Sequence, residues 1–284
     1  MASTKQRTFG MLLPNLGHRN RKTLYGASMA HISVRDVALE FQILDGTRNR
    51  LFHPSALKIM LGGKLGVRGG NRIIVTALEN INLELTEGTR LGILGHNGAG
   101  KSTLLRLLAG IYHPTRGTVS SAGRISPMFD ISLGMDMDMT GYENIRMQGL
   151  FFGMSPQEIE DTLPEISEFT QLEDYLELPV RTYSAGMMAR LSFAIATAKM
   201  PEILLLDEVI GAGDAAFIER AQNRLAQYVE SAKILVLASH SEAVIQQFCT
   251  TAIVMQKGNV IFRGSTDEAT ATYQECIHAV PRGP

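Results

Sequence analysis

The stretch Gly95-His96-Asn97-Gly98-Ala99-Gly100-Lys101-Ser102-Thr103 (GHNGAGKST) decides the fold of this chain. It follows the apolar, strand-like run 90–94 and opens into residues 104–108, which have the pattern of a buried helix. Strand, glycine-rich loop and helix are the context in which G-x-x-x-x-G-K-[ST] binds phosphate. The glycines let backbone N–H groups turn inward, and the helix start adds further N–H donors. Lys101 supplies a charge for the β- and γ-phosphates and Ser102 a hydroxyl for Mg²⁺, so the stretch predicts a nucleotide site.

The composition of the whole chain indicates a folded globular protein. Its 284 residues are 45% hydrophobic and 19% charged, which allows a sizeable core. The net charge of −1 gives no overall footprint for nucleic acid. Cys249 and Cys276 fit no metal-binding spacing and suit a reducing compartment. No apolar run reaches the length of a transmembrane helix, so the chain is not expected to span a membrane.

Strand-like and helix-like segments alternate along most of the chain. A flexible tail is expected over the first 28 to 30 residues and a short tail after 278. A helical pattern runs from 141 to about 178, with Ser155 as an N-cap and Pro156 at the first helical position, and another helix is predicted at 188–199. Strands are predicted at 31–41, 73–77, 81–85, 118–120, 123–128, 202–206, 234–238 and 252–255. The alternation predicts an α/β fold with a mostly parallel sheet and an inserted helical block.

An unusual basic insertion occupies residues 46–72. A short amphipathic helix is predicted from Pro54 through Leu61, and the glycines among residues 62–71 predict a flexible link back to the sheet. The insertion contains no Asp or Glu but six cations, Arg48, Arg50, Lys58, Lys64, Arg68 and Arg72. A solvated loop is one interpretation; an element that contacts an anionic membrane surface or a lipid pyrophosphate is the other.

Two carboxylates follow an apolar strand. Residues 203–206 are all apolar and end in Asp207 and Glu208. Ligands bind at the carboxyl ends of strands in open α/β sheets. Asp207 is therefore expected to hold the Mg²⁺ shell, and Glu208 to orient or polarise the attacking water.

A second anion site is predicted at Tyr183-Ser184-Ala185-Gly186-Met187, where Ser184 caps a helix and open N–H groups lie near Gly186. Here the chain resembles the nucleotide-binding subunits of ABC transporters, whose signature reads LSGGQ. The resemblance covers 31 to about 277. It implies a P-loop NTPase ABC nucleotide-binding domain over 31–278, with a mostly parallel core sheet, an antiparallel β subdomain and a helical subdomain at about 141–200.

The resemblance also implies roles for particular residues. His240 stands where the family keeps its switch histidine for the γ-phosphate, and residues 211–214 (GAGD) occupy the D-loop position, which crosses to the partner subunit. The signature around Ser184 would close on the γ-phosphate held by a second copy, so a homodimer is expected. ATP and Mg²⁺ are the implied cofactors.

Within the family, the chain is most similar to the ATPases that export lipid-linked polysaccharide such as O-antigen or teichoic acid. YSAGM is similar to that branch's YSSGM, GAGDAAF to its AVGDAAF, and Thr140 to Ile145 (TGYENI) to its TGxENI. This implies an ATPase that drives a separate membrane permease, at the cytoplasmic face of the cell membrane. An importer ATPase and a non-transport ABC protein are the alternatives.

Two positions, Asp130 and Ala185, depart from the family pattern. Ala185 replaces a glycine of the signature, and its small side chain should be tolerated. Asp130 replaces the usual Q-loop glutamine and would sense Mg²⁺ through water. Phe41 is the candidate for the aromatic ring that stacks on adenine. Six methionines, Met128, Met135, Met137, Met139, Met147 and Met154, either pack the helical core or form an adaptable groove for a permease helix.

Overall fold

The computed structural model describes residues 29–44, 64–68, 72–129, 134–207 and 215–278. Asp130, Glu208, the GAGD segment, the helix predicted at 54–61 and both predicted tails (up to residue 28, and after 278) lie outside these residues. The strands are β1 (His31–Leu44), β2 (Lys64–Arg68), β3 (Arg72–Thr86), β4 (Arg90–Leu94), β5 (Arg116–Ala122), β6 (Ile125–Met128), β7 (Ile203–Asp207), β8 (Ile234–Ala238), β9 (Thr251–Gln256) and β10 (Asn259–Ser265). The helices are α1 (Lys101–Leu108), α2 (Gly141–Phe151), α3 (Pro156–Thr170), α4 (Ala185–Ala196), α5 (Ala215–Ser231), α6 (Glu242–Phe248) and α7 (Thr266–His278).

The described strands form two sheets. Six strands lie in the order β10-β9-β4-β8-β7-β6, and all neighbours are parallel except β10, which pairs antiparallel with β9 at the edge. Four strands form an antiparallel sheet in the order β2-β3-β1-β5. The predicted parallel core and the expected antiparallel subdomain are both confirmed.

Two predictions around the antiparallel sheet are wrong. Residues 64–68 are not a flexible link, because β2 pairs with β3 from Lys64 opposite Thr76 to Arg68 opposite Arg72. The sequence between the two strands, Gly69-Gly70-Asn71, is of the kind that joins hairpin strands, and its composition is also that of a flexible linker.

The two strands predicted at 73–77 and 81–85 are also one strand, β3. Asn80 does not end it, because asparagine tolerates the left-handed backbone (φ 54°) that Asn80 adopts. The pairing with β1 continues on both sides through register shifts, and the Glu79 N–H donates to the Gly258 carbonyl at 2.9 Å. The irregularity bends the strand instead of breaking it.

Helix α1 is fixed between the two sheets by its leucines. Leu104, Leu105, Leu107 and Leu108 are buried in one core with residues of β1, β3, β4, β7 and β8. Burying a leucine side chain contributes about 1.5–3 kcal/mol to the stability of the folded state. The helix that follows the glycine-rich loop is therefore firmly held. Strand β8 separates this core from a second one: Ile234 and Val236 face α1, while Leu235 and Leu237 face the other side.

The helical subdomain has its own core and well-capped helices. Ser155 is the N-cap of α3 with Pro156 at its first position, as predicted, and Glu158 completes a capping box. Hydrogen bonds from Lys199 and from the Ser155 N–H lower the pKa of Glu158 to about 2. Helix α4 begins at Ala185 rather than at the predicted 188, because Ser184 caps it. The block predicted from 141 is thus two helices followed by short 3₁₀ turns at Glu173–Glu177 and Val180–Thr182.

Candidate nucleotide site

The glycine-rich loop between β4 and α1 is held in a tight curl by its neighbours. A Cβ on Gly95 would lie 2.7 Å from the Met255 carbonyl oxygen of β9, so only glycine fits there. Gly100 has a φ of +110°, a conformation that favours glycine. The buried Ala99 donates its N–H to the His96 carbonyl at 3.0 Å and accepts the Gly258 N–H at 2.9 Å. The loop therefore has a fixed shape before any ligand binds.

Lys101 places its ammonium group inside this curl. Its Nζ donates to the Gly95 carbonyl at 2.6 Å and to the His96 carbonyl at 3.3 Å. Burial lowers the pKa of Lys101, and the negative charge of Asp207 opposes that shift. A cation ringed by loop carbonyls and N–H groups is arranged to receive phosphate oxygens.

The parallel sheet brings Asp207 and His240 to the same edge as the loop. Ala238 of β8 is opposite both Asp207 of β7 and Ile93 of β4, so the carboxyl ends of three adjacent strands are in line. The Ser239 N–H donates to the Ile93 carbonyl at 3.3 Å and the Ser239 Oγ accepts the Ser241 N–H at 2.9 Å. This turn carries His240 with its side chain exposed. Glu208, which directly follows Asp207, lies outside the described residues, as does Asp130.

A cleft of about 420 Å³ opens beside the loop. Phe41, the predicted adenine-stacking residue, lines this cleft together with the loop and the first turn of α1. Two further side chains, Arg106 and Tyr112, complete its wall. No sequence pattern points to Tyr112, because its place in the wall depends on the chain folding back from the end of α1 toward β1. The full lining is Phe41, Asn97, Gly98, Gly100, Lys101, Ser102, Thr103, Arg106 and Tyr112.

Ser184 and Gly186 do not line this cleft. Ser184 caps α4, and its Oγ accepts the Met187 N–H at 3.2 Å. The preceding Tyr183 is buried in the helical subdomain and donates its hydroxyl to the Tyr175 carbonyl at 2.6 Å; burial raises the pKa of Tyr183 to about 12. A Cβ on Gly186 would meet only the Ser184 Oγ, at 3.9 Å, so the start of α4 is open. It offers a second set of N–H donors, separate from the phosphate loop.

Comparison with known proteins points to one family. The profile of the ABC transporter family matches residues 78–211. The chain is 41% identical over 239 residues to the O-antigen export system ATP-binding protein RfbE of Yersinia enterocolitica, which spans 84% of this chain and 99% of that protein. It is 38% identical over 201 residues to the teichoic acids export ATP-binding protein TagH of Bacillus anthracis, covering 71% of this chain and 36% of that protein.

The fold is also similar to solved structures. A dimeric ATP-binding cassette in a post-hydrolysis state, bound to ADP and Pi, superposes with a TM-score of 0.59 at 22% identity, over 83% of this chain and 98% of that one. The ATP-binding subunit of an ABC transporter gives a TM-score of 0.62 at 20% identity, over 87% and 94%. The predicted fold class is confirmed.

Proposed function

The chain belongs to the ABC transporter family of ATP-binding proteins, and from this premise we propose that it is the ATP-hydrolysing subunit of an exporter of lipid-linked polysaccharide. The observation that carries the proposal is the 41% identity with an O-antigen export ATP-binding protein over 99% of that protein's length. Relatives named for teichoic acid export support the same branch. These relatives favour the export function over the alternatives, an importer ATPase and a non-transport ABC protein.

The tasks of ATP hydrolysis are shared between the phosphate loop and residues at the neighbouring strand ends. The loop N–H groups and Lys101 bind the phosphate chain, and His240, on the neighbouring strand end, contacts the γ-phosphate. Glu208 orients the attacking water and accepts its proton. Mg²⁺ would neutralise charge on the β- and γ-phosphates, and the oxygens of Ser102 and Asp207 suit it, because Mg²⁺ usually takes only one or two protein oxygens beside phosphate and water. Asp130, directly after Phe129, is proposed to reach the same ion through water.

The second copy of the chain supplies the missing part of each site. Ser184 and the N–H groups at the start of α4 form an anion-binding end, yet they do not line the cleft of their own chain. Two copies arranged head to tail would place this end over the γ-phosphate held by the partner. The D-loop segment 211–214 would cross to the partner at the same interface.

Gly186→Ala tests this arrangement without disturbing the fold. Because the added Cβ meets only the Ser184 Oγ at 3.9 Å, the unfolding free energy should change by less than about 1 kcal/mol. ATP hydrolysis should fall about tenfold or more, because the methyl group would stand between the N–H donors and the partner's phosphate. Thermal unfolding and steady-state ATPase assays measure both quantities.

Gly149→Ala is the matched control, since its Cβ would lie 2.7 Å from Ile159 Cγ1 inside the helical core. It should lower stability far more than Gly186→Ala does. Full ATPase activity in Gly186→Ala would contradict a role for the start of α4 in the composite site.

A groove between the core and the helical subdomain is the proposed docking site for the permease. It encloses about 530 Å³, and its lining includes Ile111, Ile125, Phe129, Phe151 and Phe152. Phe151 is 79% exposed, which is unusual for a phenylalanine without a partner surface.

The structure supports the core-packing interpretation for two of the methionines and leaves the groove interpretation a prediction. Met128 and Met154 are buried and pack the cores, while Met137 and Met139 are exposed. Leu150, beside Phe151, is also 57% exposed and extends the apolar surface.

The location of the chain follows from this docking. No helix in the described ranges is long and apolar enough to cross a bilayer. We propose that the permease and the basic insertion 46–72 hold the chain at the cytoplasmic face of the membrane. Arg48, Arg50 and Lys58 would face the bilayer or the lipid pyrophosphate.

The export function can be tested in the cell that carries this chain. Deleting the chain should remove surface polysaccharide and leave the lipid-linked precursor inside. Wild type should restore export, and a Lys101→Ala chain expressed at the same level should not. A tagged chain should co-purify with a polytopic membrane protein. Unchanged surface polysaccharide in the deletion strain would contradict the proposed substrate class.

A further inference from the structure

Tyr112 forms a second aromatic wall of the nucleotide cleft, nearly at right angles to Phe41. The two ring centroids are 5.3 Å apart, with an angle of 78° between the ring planes. Both rings line the cleft together with the phosphate loop, and both are half-buried against the main core. Edge-to-face pairs of this kind are favourable beyond the area they bury, so each ring restrains the other.

The backbone fixes this pair from both sides. At the end of α1 the chain turns back, because the N–H groups of Ile111 and Tyr112 both donate to the Arg106 carbonyl, at 2.9 and 3.3 Å. Three residues later, the Thr115 N–H donates to the Ala38 carbonyl at 2.8 Å, and the Thr115 hydroxyl accepts the Glu40 N–H at 2.9 Å. Tyr112 is thereby held against the part of β1 that carries Phe41.

We infer that Tyr112 is a positioning residue for the nucleotide base: it sets the plane of the Phe41 ring and bounds the space next to it. The inference rests on the proposed function, in which the cleft holds ATP and Phe41 stacks on the base. The phosphates are bound by the loop N–H groups, Lys101 and Ser102, in the part of the cleft that the phosphate loop lines. Tyr112 therefore contributes to recognition of the base and not of the triphosphate.

Binding of two probes separates these contributions. ATP–Mg²⁺ and inorganic triphosphate with Mg²⁺ are titrated calorimetrically into the full-length chain. Tyr112→Leu should raise the dissociation constant of ATP about two- to tenfold, the range expected for loss of one aromatic pair, and leave that of triphosphate unchanged. Tyr112→Phe keeps the ring and should stay within about twofold of wild type for both probes. In ATPase assays the Leu variant should raise KM more than it lowers kcat.

Two controls guard against a general structural effect. Tyr175→Leu removes a tyrosine that is 52% exposed in the helical subdomain and should change neither dissociation constant. Tyr112→Met replaces the Leu variant if that variant proves unstable. Met fills a similar volume without a ring, so it should weaken ATP binding as Leu does. Weakening of ATP and triphosphate by the same factor would overturn the inference, because it would mean that Tyr112 only supports α1.

Phe41→Ala distinguishes failure of this inference from failure of the base platform. If Phe41→Ala weakens ATP binding and Tyr112→Leu does not, Phe41 stacks on the base but Tyr112 does not position it. If Phe41→Ala has no effect on ATP binding, the proposed stacking role of Phe41 is wrong, and the role of Tyr112 is overturned with it. In the expected case, Tyr112→Leu adds little in the Phe41→Ala background, because the two rings act as a unit.

Discussion

Replacing Lys101 with alanine is expected to lower the ATP hydrolysis rate by about 10²- to 10³-fold, the usual cost of losing one preorganised group that stabilises transition-state charge. The Lys101 ammonium lies within 2.6 Å of the Gly95 carbonyl, inside the curl of the loop, where phosphate oxygens would replace the carbonyls as its partners. Alanine leaves the curl intact, because the contacts that shape it involve Met255, Ala99 and Gly258. Steady-state ATPase assays on the purified chain measure the loss.

Lys233→Ala is the matched control for this variant. Lys233 precedes β8 and lies at the amino ends of the strands, the end of the sheet away from the phosphate loop. It forms ion pairs with Glu87 at 3.2 Å and with Glu202 at 3.1 Å. Removing it should lower thermal stability slightly, since exposed ion pairs contribute at most about 1 kcal/mol, and leave hydrolysis intact. Substantial hydrolysis by Lys101→Ala would mean that the cleft is not the catalytic site.

Glu208→Gln is expected to separate ATP binding from hydrolysis. The glutamine keeps the size of the side chain but cannot accept the proton of the attacking water, so hydrolysis should fall by about 10²- to 10⁴-fold. ATP–Mg²⁺ should bind normally, because the phosphate loop and Asp207 are unchanged. Since bound ATP joins the two copies and is no longer consumed, the variant should accumulate as a dimer, which light scattering coupled to size exclusion detects.

The nucleotide dependence of that dimer is the internal control. ADP should leave the Glu208→Gln chain monomeric, because ADP has no γ-phosphate for the partner's Ser184 to contact. A Glu208→Gln chain that binds ATP–Mg²⁺ at saturation and stays monomeric would contradict the head-to-tail arrangement. Hydrolysis by this variant at the wild-type rate would show that Glu208 is not the catalytic base.

The features that sequence could predict are those carried by local patterns. The phosphate loop between β4 and α1, the apolar strand that ends at Asp207, and the caps at Ser155 and Ser184 all depend on residues close in the chain. The order of these motifs also sufficed to predict the parallel core, since a strand that alternates with helices has few other ways to bury both faces.

The features that sequence missed depend on contacts between distant segments. Asn80 looked like a turn residue, but its pairing with β1 continues because asparagine tolerates a positive φ. Strand β2 contains Gly66 and is flanked by further glycines, so its strand character depends on pairing with β3. Tyr112 carries no motif, and its place in the cleft comes from hydrogen bonds to Arg106 and from the tie between Thr115 and β1.

The central claim is that each ATP site joins the phosphate loop of one chain to the Ser184 end of another, and complementation between two inactive variants tests it most directly. A Lys101→Ala chain and a Ser184→Arg chain should each be inactive alone. In an equimolar mixture, half of the dimers combine one of each, and such dimers have one site with both components intact. The mixture should therefore recover ATPase activity, up to about a quarter of the wild-type rate. A mixture that shows only the average of the two inactive variants would contradict the shared site.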